Sequence, residues 1–400
     1  MTYGSSPDDA LIPLTLLTGF LGSGKTTVLN RLLKSPGNAA TAVVINEFGE
    51  IGLDHLLVER THENFVMLNS GCLCCTVRGD LIATLGDLVE RRRLGDVPAF
   101  GRLVIETTGL ADPAPILHTL IADPLVANRY KLDGVVTTVD AVNGEATLDR
   151  HREAVKQAAV ADRLLLTKTD LATGEIRQRL HRRLRLLNPG ARILETINGD
   201  ADPTALFGLG LYNAATKTTD VQAWLRAESY EEAEHDRRHS HSHAHDEHEH
   251  HGDAGHNHAP LDVNRHDERI WAYCVVVDQP VKWTPFAAWL DMLATIRGED
   301  LLRVKGIVNI ADRPDRPVAI HGVQHLLHPP MLLDGWPSED RRTRIVFITH
   351  DIPKSAIEDM LHIFTDASSK RAGAAGIPAE RIAPEKDSSL VYRLEKACIA

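Results

Sequence analysis

The sequence has no excess of basic charge. Over 400 residues its formal net charge is -11, which argues against generic binding to nucleic acid or anionic membrane, since both want a basic surface. No apolar run approaches the roughly 20 residues needed to cross a bilayer. The opening residues, MTYGSSPDDA, are polar and acidic, unlike a secretory signal. The five cysteines are an odd, clustered set and not a disulfide framework. Reduced thiols and a cytoplasmic location are the expectation. There is no internal repeat. Hydrophobic residues at 43 % and charged residues at 25 % fit a globular protein, and 400 residues call for two cores rather than one.

The first half alternates apolar runs with amphipathic stretches. LTLLTG (14–19), TAVVINE (41–47), NFVML (64–68), RLVIET (102–107), GVVTTVD (134–140) and RLLLTK (163–168) read as strands. Most are apolar almost throughout, as strands covered on both faces of a parallel sheet must be. KTTVLNRLLK and DLIATLGDLVERRR between them read as helices. This predicts an α/β domain of βαβ units. From Glu231 to His258 apolar residues nearly vanish and ten of the 21 histidines appear. Such a stretch cannot bury enough surface to offset its chain entropy, so a flexible linker is expected. WAYCVVV (271–277), PFAAWLDMLATI, LLRVKGIVNI (301–310), RPVAIHGV (316–323) and TRIVFITH (343–350) then predict a smaller α+β domain.

Gly19-Phe20-Leu21-Gly22-Ser23-Gly24-Lys25-Thr26 fits G-x-x-x-x-G-K-[ST] between an apolar strand and an amphipathic helix. Gly19, Gly22 and Gly24 let the backbone turn its N–H groups, that of Ser23 among them, toward phosphate oxygens. The helix N-terminus adds a favourable dipole. Lys25 supplies a charge near the β- and γ-phosphates, Thr26 suits a magnesium ion, and Thr27 follows in the same turn. Glu106 ends a later strand in Glu106-Thr107-Thr108-Gly109, where an acid can bind magnesium and the Gly109 N–H can sense a γ-phosphate. The competing reading of Glu106 is a helix cap. Asp54 is a second magnesium candidate. Thr167-Lys168-Thr169-Asp170 resembles N-K-x-D, whose Asp reads guanine, with Thr in place of Asn. GTP is therefore expected over ATP, against the alternative of a solvated turn.

Gly71-Cys72-Leu73-Cys74-Cys75 puts three thiols between a strand and a helix. Thiolates suit zinc, copper(I) or iron–sulfur clusters, and Glu47 or Glu50 is a candidate for a remaining ligand position. Single cysteines are often small core residues, which is the reading for Cys274. His239, His241, His243, His245, His248, His250 and His251 in the linker are interleaved with acids and offer weak, exchangeable metal sites. A plain solubilising linker is the alternative.

TGFLGSGKTT, VINEFGEIGLD (44–54), NSGCLCC (69–75), ETTGLADP (106–113) and TKTD (167–170), followed by the His-rich stretch and R-V-K-G (303–306), resemble the CobW-type metallochaperone GTPases over almost the whole chain. Composition, patterning and this resemblance together give an expected P-loop GTPase domain over 1–225, a His-rich linker over 226–268, a CobW-like domain over 269–366 and a weakly patterned tail over 367–400. The resemblance implies Cys72, Cys74 and Cys75 as metal ligands with Glu47 as a helper. It implies Lys25, Thr26, Glu106 and Asp170 for GTP and Mg2+. The expected function is GTP-dependent delivery of a transition metal, zinc first and cobalt or nickel as alternatives, to a client metalloprotein. No arginine finger or catalytic glutamine can be named, so a client or a second protomer is expected to complete the hydrolytic site. The runners-up are a cobalt-handling protein of cobalamin synthesis, a P-loop kinase of small molecules and a non-catalytic metal store.

Overall fold

A computed structural model describes residues 11–34, 40–45, 77–202, 206–209 and 269–371. The first domain is built on a sheet whose described strands all run parallel. They are β1 (Ile12–Gly19), β2 (Thr41–Ile45), β3 (Arg102–Glu106), β4 (Tyr130–Asp140), β5 (Arg163–Thr167) and β6 (Arg192–Glu195), ordered β2-β3-β1-β4-β5-β6. Helices α1 (Lys25–Lys34), α2 (Val77–Leu94), α3 (Pro113–Ala122), α4 (Pro124–Ala127), α5 (Gly144–Arg150), α6 (Arg152–Ala159) and α7 (Gly174–Leu187) connect them. Leu14, Leu16, Leu103 and Ile105 are at most 1 % exposed, each worth roughly 1.5–3 kcal/mol of burial. In α7, Leu180, Leu184 and Leu187 repeat at helical spacing and are buried, while Arg179, Arg182 and Arg185 stay exposed. Thr173 caps that helix by accepting from the Ile176 N–H.

Several described elements were not in the sequence expectation, and the expected strand NFVML (64–68) lies outside the described residues. β6 is an extra strand, short, at the sheet edge and only partly buried, so it carries no strong apolar run. In the second domain, the last helix extends to Arg371, past residue 366, where a tail was expected to begin.

The second domain is an antiparallel sheet with helices on one side. Strands β7 (Ile270–Val277), β8 (Leu301–Val308), β9 (Val318–Val323), β10 (Leu326–Leu327) and β12 (Thr343–His350) are ordered β10-β9-β8-β12-β7, and β11 (Met331–Leu332) pairs with β9. Alternation along β7 divides its side chains between two cores. Tyr273 and Val275 pack with Phe286, Trp289 and Leu290 of α8 (Trp283–Arg297) and Ile357 of α9 (Lys354–Arg371). Ile270, Ala272 and Cys274 face the other way, into a core shared with the first domain. Cys274 is a buried core residue, as its apolar strand implies.

That shared core is the seam between the domains. Ala154, Val155, Ala158 and Ala159 of α6 and the leucines of α7 pack there against Ala272, Leu302, Ile307, Val346 and Ile348. The alanines let α6 approach the second sheet closely. A charged cluster sits within the seam. Asp162, just before β5, accepts from the Arg303 guanidinium at 2.6 Å and from the Lys305 ammonium, both on β8, while its other oxygen accepts from the Val135 N–H at 2.9 Å. Burial alone would push the Asp162 carboxyl up, but the two cations more than reverse that and hold it ionised, well below the usual carboxylate range. The R-V-K-G motif is thus a domain clamp.

His321 of β9 faces the same cluster and stacks on His328 with ring centroids 4.3 Å apart. Burial, then His328 and the cations Arg303 and Lys305, keep its pKa well below 6.5. The folded protein therefore refuses a proton that the unfolded chain accepts below its ordinary pKa. Stability from this group is lost as pH falls below 6.5, with a slope of at most about 1.4 kcal/mol per pH unit. Urea melts from pH 7.5 down to pH 5 should show a steeper loss in the wild type than in His321→Gln. Parallel curves would contradict this.

Candidate functional site: a phosphate loop at the sheet's switch point

β1 lies at the centre of its sheet. The chain leaves it toward β2 on one side, and β4 on its other side leads away toward β5. Crevices at such reversals, beyond the carboxyl ends of parallel strands, are where α/β sheets take ligands. The loop Phe20–Gly24 occupies that place. Gly19, Gly22 and Gly24 have φ of 144°, 70° and 90°. At Gly19 a Cβ would stand 2.2 Å from Thr138 Oγ1 and 2.5 Å from the Thr138 carbonyl oxygen, so glycine is required by contact as well as by dihedral.

Lys25 is buried, and its ammonium donates to the carbonyls of Gly19 at 2.9 Å and Phe20 at 3.3 Å. The charge is thereby folded over the loop. Thr26 donates from its hydroxyl to Glu106 Oε1 at 3.1 Å. Two hard oxygens from distant parts of the chain meet at one end of the loop, the donor set magnesium prefers. Strand register accounts for the meeting, since Leu17 of β1 is level with Glu106 of β3. Gly109 is buried against the loop, and a Cβ there would lie 2.6 Å from the Leu21 N. A cavity of about 300 Å³ opens beside the loop, lined by Phe20, Ser23, Thr138, Asp140, Asn143 and Lys168 among others.

Thr167–Asp170, the candidate base motif, is tied to the same loop. Thr167 donates to the Ser23 carbonyl at 2.7 Å, so the residue standing for Asn links β5 to the phosphate loop. Lys168 takes a φ of 57° and donates to Asp140 at 2.7 Å. Burial would raise the Asp140 pKa, but Lys168, Asn143 and the N–H groups of Val142 and Asn143 outweigh it and lower the pKa. Asp170 is exposed. Thr169 donates to the Thr196 carbonyl at 3.1 Å, and Gly199, with a φ of 74°, lies against the backbone of the exposed Thr27.

The loop Thr196–Gly199 was not among the sequence candidates. Asn198-Gly199 directly after a strand is the turn signal that could have revealed it. Asp140, Thr138 and Gln157 were also missed, and no local pattern marks them. Glu47, Glu50, Asp54, Cys72, Cys74, Cys75 and the linker histidines His239, His241, His243, His245, His248, His250 and His251 lie outside the described residues. Among the described residues no group of three or more His, Cys, Asp or Glu is arranged to hold a metal ion, and no helix is long and apolar enough to cross a membrane.

A sheet whose described strands are all parallel, carrying this loop with Lys25, Thr26 and Glu106 at its mouth, defines a P-loop nucleoside triphosphatase fold. Two family models match the chain: the CobW/HypB/UreG nucleotide-binding domain over residues 13–195 and the cobalamin synthesis protein cobW C-terminal domain over 270–364. The zinc chaperone YjiA of Escherichia coli is 32 % identical over 346 residues, covering 86 % of this chain and 96 % of that protein. The zinc chaperone CobW of a Sinorhizobium species is 29 % identical, covering 86 % and 95 %. The crystal structure of the zinc-bound YjiA GTPase from E. coli superposes with a TM-score of 0.61 at 27 % identity, covering 89 % of this chain and 99 % of that one. The chain belongs to the CobW family.

Proposed function

We propose that this protein is a GTP-dependent carrier of a transition metal, zinc foremost, that passes its cargo to a client metalloprotein. The observation that carries the reading is where the cysteine segment begins. β2 ends at Ile45, level with Glu106 in the strand register, and the chain from there to α2 holds Glu47, Asp54 and the Gly71–Cys75 motif. The candidate cargo ligands therefore lie on the connection that starts beside the candidate magnesium carboxylate. The names of the relatives, zinc chaperones and a GTPase, support the same reading. The relative named CobW is itself called a zinc chaperone, which favours zinc over a dedicated cobalt role.

In this mechanism the loop N–H groups and Lys25 bind the β- and γ-phosphates, the lysine exchanging the Gly19 and Phe20 carbonyls for phosphate oxygens. Asp170 reads the guanine edge, and Thr167 keeps base motif and phosphate loop in register. Thr26 and Glu106, with Asp54, would hold Mg2+, which supplies charge neutralisation between the phosphates when bound. Cys72, Cys74 and Cys75 with Glu47 hold the zinc, and the linker histidines gather it. Cobalt and nickel suit the same imidazoles. Nucleotide state and metal affinity are coupled through the 46–76 connection, and such coupling is reciprocal. Hydrolysis releases the connection and the metal. Cys74→Ser is expected to weaken zinc binding about tenfold or more and to abolish zinc stimulation of GTP hydrolysis, leaving the basal rate. Zinc affinity and stimulation both intact in that variant would sink the proposal.

A further inference from the structure

α6 has two roles in the structure. One face packs into the domain seam through Ala154, Val155, Ala158 and Ala159, and the Asp162 clamp lies three residues beyond its end. Two of its polar side chains reach the loop after β3. Gln157 is fully buried, and its amide nitrogen donates to the Gly109 carbonyl at 3.2 Å and to the Ala111 carbonyl at 3.0 Å. Its own main-chain carbonyl accepts from Thr137 of β4 at 2.8 Å. Next to it, Lys156 pairs at 2.6 Å with Asp112, the residue that caps α3 directly after that loop. One short helix thus grips Gly109, Ala111 and Asp112 of the Gly109–Asp112 segment.

We infer that Gln157 is a positioning residue for GTP turnover, one that sets the Gly109–Ala111 loop against the γ-phosphate from a helix braced on the second domain. The inference rests on the reading of Glu106–Gly109 as the phosphate-side loop. A buried amide with both hydrogens on one loop fixes its height over Leu21 and the phosphate loop. The Gly109 N–H, on the same residue as one of the bonded carbonyls, is thereby aimed. The terminal phosphate feels this, while the β-phosphate and the base keep their own hold, in the phosphate loop and at the base motif. Losing Gln157 should therefore cost discrimination and rate more than overall nucleotide affinity. The second domain enters because the other face of α6 is the seam, so a partner that loosens or tightens the seam changes turnover through this side chain.

The test is Gln157→Met, which keeps the volume and removes both donors. GDP affinity should stay within twofold of the wild type. The preference for a non-hydrolysable GTP analogue over GDP should fall about tenfold, and kcat should fall by about the same factor with KM little changed. Gln157→Glu should recover activity relative to the wild type as pH falls, because only the protonated carboxyl can donate to one of the carbonyls. Equal loss of GDP and analogue binding would mean a packing role and overturn the inference. So would an unchanged kcat and preference. If Gln157→Met does not fold, Lys156→Met at a part-exposed site reads the same grip through Asp112. A kcat about threefold lower with GDP affinity kept supports the inference, and no change overturns it. Lys25→Ala run alongside separates the two claims: if it spares turnover, the site reading itself fails; if it abolishes turnover while the α6 variants act as wild type, only the role of Gln157 fails.

Discussion

Replacing Lys25 with alanine is expected to lower kcat for GTP hydrolysis about 10²- to 10³-fold, the usual cost of deleting one preorganised group that stabilises transition-state charge. Two effects compete in this variant. The ammonium bonds to the Gly19 and Phe20 carbonyls, and losing bonds of that kind costs about 1 kcal/mol of stability each. Losing the charge at the developing phosphate charge costs about 3–4 kcal/mol of barrier. The second is larger and acts only on turnover. Phosphate release should therefore collapse while the thermal midpoint moves by a few degrees. Lys25→Arg should not restore the rate, because a planar fork does not fit where a compact ammonium sits over two loop carbonyls.

Asp162→Ala is expected to be the most damaging single change to stability away from the nucleotide. The carboxylate is enclosed by Arg303 and Lys305, with side-chain exposures of 6 %, 4 % and 11 %. Removing it leaves two buried cations side by side in the seam. Breaking a buried pair from one side costs about 3–5 kcal/mol, a large share of a typical domain's stability. Lys305 already feels the strain. Burial, aided by Arg303, pushes its pKa down to about 8 even with Asp162 present. Replacing all three charged groups together by apolar residues of similar size should return much of the loss, since buried charge clusters are often no more stable than a well-packed apolar substitute. Urea unfolding of the single and triple variants measures both. A single variant that melts like the wild type would show that the clamp is not what joins the domains.

Much of the fold was legible because its signals are local. TRIVFITH matches β12 from end to end, and KTTVLNRLLK matches α1. Strands covered on both faces cannot hide their apolar character. β6 hid because an edge strand of four residues, RILE, needs little apolar surface. The helix after β12 hid because its amphipathic pattern, Ile357 and Leu361 inward, runs into a polar end. The phosphate loop was legible as a contiguous motif, and Glu106 as the acid ending a strand. Gln157 was not, since its partners lie 46 and 48 residues away and only the fold brings them together. Thr167 looked like a weakened base motif. In the structure its hydroxyl bonds the Ser23 carbonyl and so ties the end of β5 to the phosphate loop, a contact no one-dimensional pattern displays.

A metal carrier gated by GTP requires that metal and nucleotide affinities be coupled. The direct measurement is zinc affinity, by competition with a chelator, for the full chain loaded with a non-hydrolysable GTP analogue and then with GDP. Coupling predicts affinities that differ about 5- to 150-fold between the two states, with zinc shifting the analogue's affinity by the same factor. Equal zinc affinity in both states would contradict the account.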